Sequence, residues 1–202
     1  MIHLNTYIKN FSQHFDQQNM QPWQFVANAV VIIEDKILKL DDDYTIDNGI
    51  AIHKTATIEP HVILKPPVII GRNCFVGAHA YMRGGVFLAN DVGIGPGSEI
   101  KSSFIFYKSN VAHFNFIGDS IIGSHVNFEA GSVTANHYNE RVDKTIFILS
   151  DTEIIDTGSV KFGSLIGDDS KIGANAVLSP GTILSAGSIV PRLALVEQIK
   201  PR

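Results

Sequence analysis

One histidine and one pair of cations are the residues best suited to do chemistry in this chain. His113 lies in the stretch Glu99–Asn136, EIKSSFIFYKSNVAHFNFIGDSIIGSHVNFEAGSVTAN. A neutral imidazole accepts a proton near neutral pH, and partly dry surroundings help keep it neutral. Phe104, Phe106, Phe114, Phe116 and Phe128 flank it in sequence, which predicts such a setting at a contact between subunits. Arg83 lies three six-residue steps before Lys101. If the two stack, an anion between them relieves their repulsion, and the fork of an arginine suits phosphate. The solvated alternative has Glu99 neutralising the pair. Glu99 and Lys101 both flank Ile100, so strand alternation turns both outward. His113, His125 and His137 are evenly spaced, with His79 upstream, and three histidines can hold zinc. Two six-residue steps place successive histidines on different faces, so no metal site is expected.

The elements that must position these residues are written in a period of six. A large apolar residue recurs at Ile52, Ile58, Leu64, Ile70, Val76, Met82, Leu88, Ile94, Ile100 and Phe106. With 45% of residues hydrophobic, such a run arises by chance about once in a few thousand trials. Glycine follows several of them, as in Ile70-Gly71, Val76-Gly77 and Ile94-Gly95. This is the hexapeptide pattern of a parallel β-helix, three strands to a coil. A second run, Phe116, Ile122, Phe128 and Thr134, is displaced by four residues, and His113 falls inside the displacement. A side chain at such a break can be aimed outward, as at a bulge. The period resumes at Val160, Ile166, Ile172, Leu178, Leu184 and Val190.

Two segments escape the period. In residues 1–49, Ile2, Leu4, Ile8, Phe11 and Phe15 have helical spacing, and Pro22 opens a second helical pattern through Phe25, Val26, Ala29, Val30 and Ile33. These predict a small α-helical N-terminal cap over the open first coil, followed by a short strand at Tyr44–Ile46. Residues 137–159 predict a loop or hairpin extruded from one coil, and 50–202 form the β-helix domain. Pro191 and the basic residues Arg192, Lys200 and Arg202 close the stack. A net charge of −4 and a pI near 6.0 argue against a nucleic-acid partner. The single Cys74 excludes an internal disulfide. The N-terminus lacks a signal-peptide core, and Phe25–Glu34 is too short to span a bilayer. A soluble cytoplasmic protein without membrane contact is expected.

VAHFNFIGDSIIGSHVNFEAGSVTAN resembles a motif of the acetyltransferase domain of the bifunctional glucosamine-1-phosphate acetyltransferase/N-acetylglucosamine-1-phosphate uridylyltransferase. It also resembles sugar-phosphate nucleotidyltransferase-like proteins with a C-terminal β-helix, whose insert ends like Asp156-Thr157-Gly158…Lys161-Phe162-Gly163. The likeness runs from Ile50 to Val190 and is strongest over Arg83–Asn136. It implies an all-β fold, a left-handed parallel β-helix, assembled as a homotrimer. It further implies acetyl-CoA-dependent N-acetyl transfer to an amino-sugar phosphate or nucleotide-linked amino sugar. His113 would be the general base and a backbone N–H near Ala130 the oxyanion donor. Arg83 and Lys101 align with phosphate contacts, and Glu99, Asn127 and Asn136 with sugar-contacting or base-orienting residues. Ala174 and Arg192 align with acetyl-CoA contacts. Three departures stand out. Phe116 replaces a tyrosine, Lys144 is the nearest stand-in for a loop lysine, and Glu129 replaces a glycine beside the expected CoA channel. No glycine-rich nucleotide loop precedes residue 50, so uridylyl transfer is not expected. The fold leaves other activities open: acyl transfer from acyl carrier protein as in lipid A synthesis, a gamma-class carbonic anhydrase-like metal site, or an inactive trimeric scaffold.

Overall fold

The computed structural model describes residues 1–17, 19–150 and 152–199; Lys200 and Arg202 of the basic tail lie outside them. From Ile50 to Val196, short strands wind into a left-handed β-helix of about eight turns. Seven parallel strands, from Thr57–Ile58 to Ile189–Val190, make its first wall. The second wall runs from Ile63–Leu64 to Leu195–Val196, and the third from Ile50–His53 to Thr182–Leu184. Strands Tyr81–Leu88 and Glu99–Ile105 pass unbroken around the edge between the second and third walls. Each wall sends one apolar residue inward per coil, as Val76, Met82 and Leu88 do, all fully buried. The glycine after an inward residue is required by the close stacking of coils. A Cβ on Gly77 would lie 2.7 Å from the Pro96 nitrogen, and one on Gly95 2.3 Å from the Ala112 oxygen.

The interior frame departs from the expected one near His113. Inward positions read Ile94, Ile100, Ile105, Val111, Ile117, Ile122, Phe128 and Thr134. The step therefore drops to five twice, between Ile100 and Ile105 and between Ile117 and Ile122, and His113 lies between the slips rather than in one. Phe116 belongs to the outer face beside Ile117, and Phe106 is buried outside the coil against Phe11. Both slips fall at the corner after the second wall. One coil below, that corner uses Gly84 and Gly85, both at positive φ; above it, Ser102 and Asp119 turn alone at φ 46° and 45°. Hydroxyls supply the acceptors that the tighter corners need. Ser103 Oγ accepts from Ser120 N–H at 3.0 Å, and Ser120 Oγ accepts from Ser164 N–H at 2.9 Å.

Helices α1 (Leu4–Tyr7), α2 (Phe11–His14), α3 (Pro22–Ala27) and α4 (Ala29–Ile37) cap the solenoid along its side, not over its first coil. The reason is an apolar ladder on the outside of the third wall. Ala51, Ile69, Phe87, Phe104, Ile121, Leu165 and Ile183 stack one per coil and are buried with the helices. Phe25 meets Phe104 at 4.8 Å between ring centroids, and Phe15 meets Phe87 at 4.8 Å. Strand Tyr44–Asp47 covers the first coil instead, antiparallel to Ile50–His53 through a turn with Asn48 and Gly49 at positive φ. The extruded segment is a hairpin, Phe147–Ser150 with Glu153–Asp156. It folds back so that Ile146 and Ile148 close over Gly181, which has no room for a Cβ.

Tertiary contact also divides the first helical pattern in two. The Lys9 N–H donates to Asp168 Oδ2 at 3.0 Å rather than to a helical carbonyl. Asp168 Oδ1 accepts from Ser124 N–H at 2.7 Å, and its own N–H donates to the Tyr7 oxygen. This buried carboxylate ties the N-terminal segment to the upper coils. Asp168→Ala strands the buried Ser124 N–H and the part-buried Lys9 N–H and should lower unfolding stability by about 2–4 kcal/mol, read as a reduced urea midpoint. An unchanged midpoint would mean that the tie is idle.

Candidate functional site

The second wall carries a column of charge on its outer face. Tyr81 pairs with Glu99 and Glu99 in turn with Phe116, while Arg83 pairs with Lys101 and Lys101 with Gly118, so the expected stacking of the two cations is present. Each cation has a carboxylate partner within the chain. Arg83 Nη2 lies 2.7 Å from Glu99 Oε1, and Lys101 Nζ lies 2.5 Å from Asp119 Oδ2. Asp119 also accepts from Asn136 Nδ2, and Asn136 Oδ1 lies 3.2 Å from His137 Nδ1. Arg83 with Glu99, and Lys101 with Asp119 and Asn136, thus form two polar groups stacked over four successive coils, with Phe116 beside them, its ring folded over Gly118. Asp119 was not singled out from sequence. Its signal was the Gly-Asp of the motif, and the shortened corner brings it over Lys101, its N–H donating to the Lys101 oxygen at 2.8 Å.

His113 stands on the edge where the first wall turns into the second, on the coil that bears Phe116, and it is exposed. The aromatic enclosure expected around it is absent. Phe104 and Phe106 face outward on either side of the inward Ile105 and pack under the helices, and Phe128 points into the solenoid interior. Phe114 alone is exposed next to it, at 74%, laid over Gly97. Asn127 lies around the edge from the charged column, on the outer face of the first wall between Asn110 and Lys171. Lys144 is exposed in the segment before the hairpin and makes no ion pair among the described residues. No group of three or more His, Cys, Asp or Glu among the described residues is arranged to hold a metal.

The same edge aligns His113 with Ala130, Ala174 and Arg192. Backbone bonds link them coil by coil: Gly131 N–H to the His113 oxygen, Asn175 N–H to that of Ala130, and Leu193 N–H to that of Ala174. Ala78 and Pro96 occupy the same column below. The N–H of Ala78 is taken by Glu59 Oε2 at 2.7 Å and that of Ala174 by Glu129 Oε2 at 2.9 Å; proline has none. Among the described residues, nothing accepts from the N–H groups of His113, Ala130 and Arg192. The edge is therefore a ladder of backbone donors beginning beside the imidazole. Glu129 also receives both Nε and Nη2 of Arg192 at 2.7 Å each. That fork, with the Ala174 N–H, holds its carboxyl down at about 2, so it is ionised near neutral pH.

A model described as bacterial transferase hexapeptide (six repeats) matches residues 49–84, and one described as hexapeptide repeat of succinyl-transferase matches residues 165–191. Hexapeptide repeats are thus found in both stretches of the chain. It is 32% identical over 197 residues to the bifunctional protein GlmU of Methanococcus vannielii, an alignment covering 98% of this chain and 46% of that one. With GlmU of Nitrosospira multiformis it shares 34% identity over 145 residues, 67% of this chain and 31% of the relative. This hexapeptide-repeat chain thus spans less than half the length of these curated relatives. A solved acetyltransferase domain of PglB from Neisseria gonorrhoeae, in complex with acetyl coenzyme A, is 12% identical. It matches over 86% of this chain and 68% of that one with a TM-score of 0.44, too distant to speak for the site.

The two ion pairs of the column differ in exposure, and so in what their loss costs. Lys101 and Asp119 side chains are 15% and 9% exposed, against 40% and 34% for Arg83 and Glu99. Asp119→Ala leaves a buried ammonium unpaired and should cost about 3 kcal/mol. Glu99→Ala should cost less than about 1 kcal/mol. Urea unfolding of both variants checks this; equal losses would contradict it.

Proposed function

We propose that this chain is an acyltransferase that moves an acetyl group from acetyl-CoA to the amine of an amino-sugar phosphate or nucleotide-linked amino sugar. One observation carries the proposal: an exposed imidazole at the foot of a backbone donor ladder, on the edge adjoining a wall of stacked cations. The similarity to GlmU proteins, which extends along nearly the whole chain, supports the same assignment. The phosphate lies on Arg83 and Lys101, exchanging with the carboxylates that now neutralise them, while Glu99 and Asn136 orient the sugar. Phe116 offers the acceptor an apolar ring, and Lys144 and Asn127 approach from the loop and from the adjoining wall.

In the reaction, the sugar nitrogen attacks the thioester carbonyl as His113 takes its proton. The carbonyl oxygen gains charge and is met by the Ala130 N–H. The C–S bond then breaks, and the leaving thiolate takes the proton back from the imidazolium. The amide-bearing arm of the donor lies along the edge toward Ala174 and Arg192. An exposed imidazole in one subunit calls for a second surface to exclude water. Phe114, Ile189, Leu193 and Leu195 are all more than half exposed around this edge. In the proposed homotrimer a neighbouring subunit covers them, closing the site between subunits in the cytoplasm.

Release of free thiol from acetyl-CoA with glucosamine 1-phosphate as acceptor tests the assignment. His113→Ala should lower kcat by roughly 10²- to 10⁴-fold while leaving the melting temperature unchanged, since the ring is exposed and makes no packing contact of note. Turnover undiminished in that variant, or none in the unaltered chain, would refute it.

A further inference from the structure

The outer column of the first wall that leads into the donor edge contains Glu59, Gly77, Gly95, Ala112, Glu129, Gly173 and Pro191. Only its two glutamates reach the edge N–H of the next coil. Glu59 does nothing further: it forms no ion pair among the described residues, and its contact reads as a cap on one corner. Glu129 differs. It bonds the Ala174 N–H one coil up and the Arg192 guanidinium two coils up, binding three coils through one carboxylate. Both partners lie on the ladder that starts at His113. Arg192 is held at this single point, with a side chain 72% exposed.

We propose that Glu129 is an internal anion that fills the end of the donor ladder and thereby selects the acyl donor by the charge of its carrier arm. This rests on the acyl-CoA assignment above. A donor arm lying along His113 and Ala130 finds the next rung, Ala174, already occupied. A neutral arm that stops there gains nothing from Arg192, whose Nε–Nη2 edge is taken by Glu129. An arm ending in phosphate offers Arg192 a second acceptor of matching bidentate geometry. The guanidinium then changes partners, and the freed carboxylate leaves Ala174 N–H for the donor. Glu129 is thus a competitor that a phosphorylated carrier displaces and an uncharged one does not.

Calorimetric titration of the full chain with coenzyme A, and with pantetheine as the same arm lacking phosphates, separates the possibilities. Glu129→Ala should bind pantetheine about fivefold more tightly than the unaltered chain, with a smaller gain for coenzyme A, which already displaces the carboxylate. Glu129→Gln, which keeps a side-chain oxygen for Ala174 but loses the charge, should show a smaller pantetheine gain. Adding Arg192→Ala to Glu129→Ala should weaken coenzyme A and leave the pantetheine gain in place. The proposal is overturned if Glu129→Ala leaves pantetheine affinity unchanged, tightens both ligands alike, or if Arg192→Ala weakens both alike. Coenzyme A bound by the unaltered chain with pantetheine affinity unmoved by Glu129→Ala removes the competitor role and leaves the transferase assignment standing. Failure of both chains to bind coenzyme A removes both.

Discussion

Register between coils is the constraint on which this molecule depends. Each coil is held by inward residues such as Val76, Met82 and Leu88, packed to zero exposure, and by glycines that admit the next coil without room for a Cβ. Once that stacking is set, any outer residue is forced to lie over its counterpart one coil below. Arg83 meets Lys101 for this reason, and the apolar residues outside the third wall form an unbroken ladder for the same reason. A one-residue slip would turn every outward side chain inward. Among the described residues the coil slips at one corner, twice in succession, where Ser102 and Asp119 replace a glycine pair. Both slips therefore leave the columns aligned and bring Asp119 onto Lys101.

The two faces that meet at His113 are electrostatically unlike. The second wall holds alternating charges that satisfy one another, two cations against two carboxylates, closed at the top by Asn136. Such a surface offers an anion polar partners without strong net attraction, so specificity comes from geometry more than from long-range steering. The edge offers neutral N–H dipoles, fixed by the backbone and costing no side-chain entropy to present. Between them, a side chain that can carry a proton stands in the open. The N-terminal helices and the hairpin are committed to the opposite task of burying the third wall, which leaves the other two walls free.

Much of this was legible in the residues. The period of six specified the solenoid and its stacking, since interior positions answer only to size and apolarity. Arg83 over Lys101 followed from counting, because strand alternation and coil length are rigid. What resisted was local and tertiary. The slip was visible as a displacement of four but was assigned to His113. Five-residue steps on either side preserve the same net shift, and only the Ser103–Ser120–Ser164 hydroxyl bonds reveal them. Phe104 and Phe106 looked like company for the imidazole because sequence nearness does not say which wall a residue faces. The helices were expected over the first coil. Phe87 and Phe104 form an outer ladder only when the register is known, and that ladder draws the helices to the side. Glu129 was recognised as a departure, but its reach to Arg192 depends on stacking across a long insertion.

The claim that two unlike faces serve one acceptor is tested most directly by a crystal structure of the chain soaked with coenzyme A and glucosamine 1-phosphate together. The account expects the sugar phosphate against Arg83 and Lys101, its amine turned to the His113 imidazole, and the coenzyme arm along Ala130. Phosphate density elsewhere, for instance in the cleft of about 350 Å³ between α2 and α4 that His14 and Lys36 line, with the edge at His113 left bare, would contradict it.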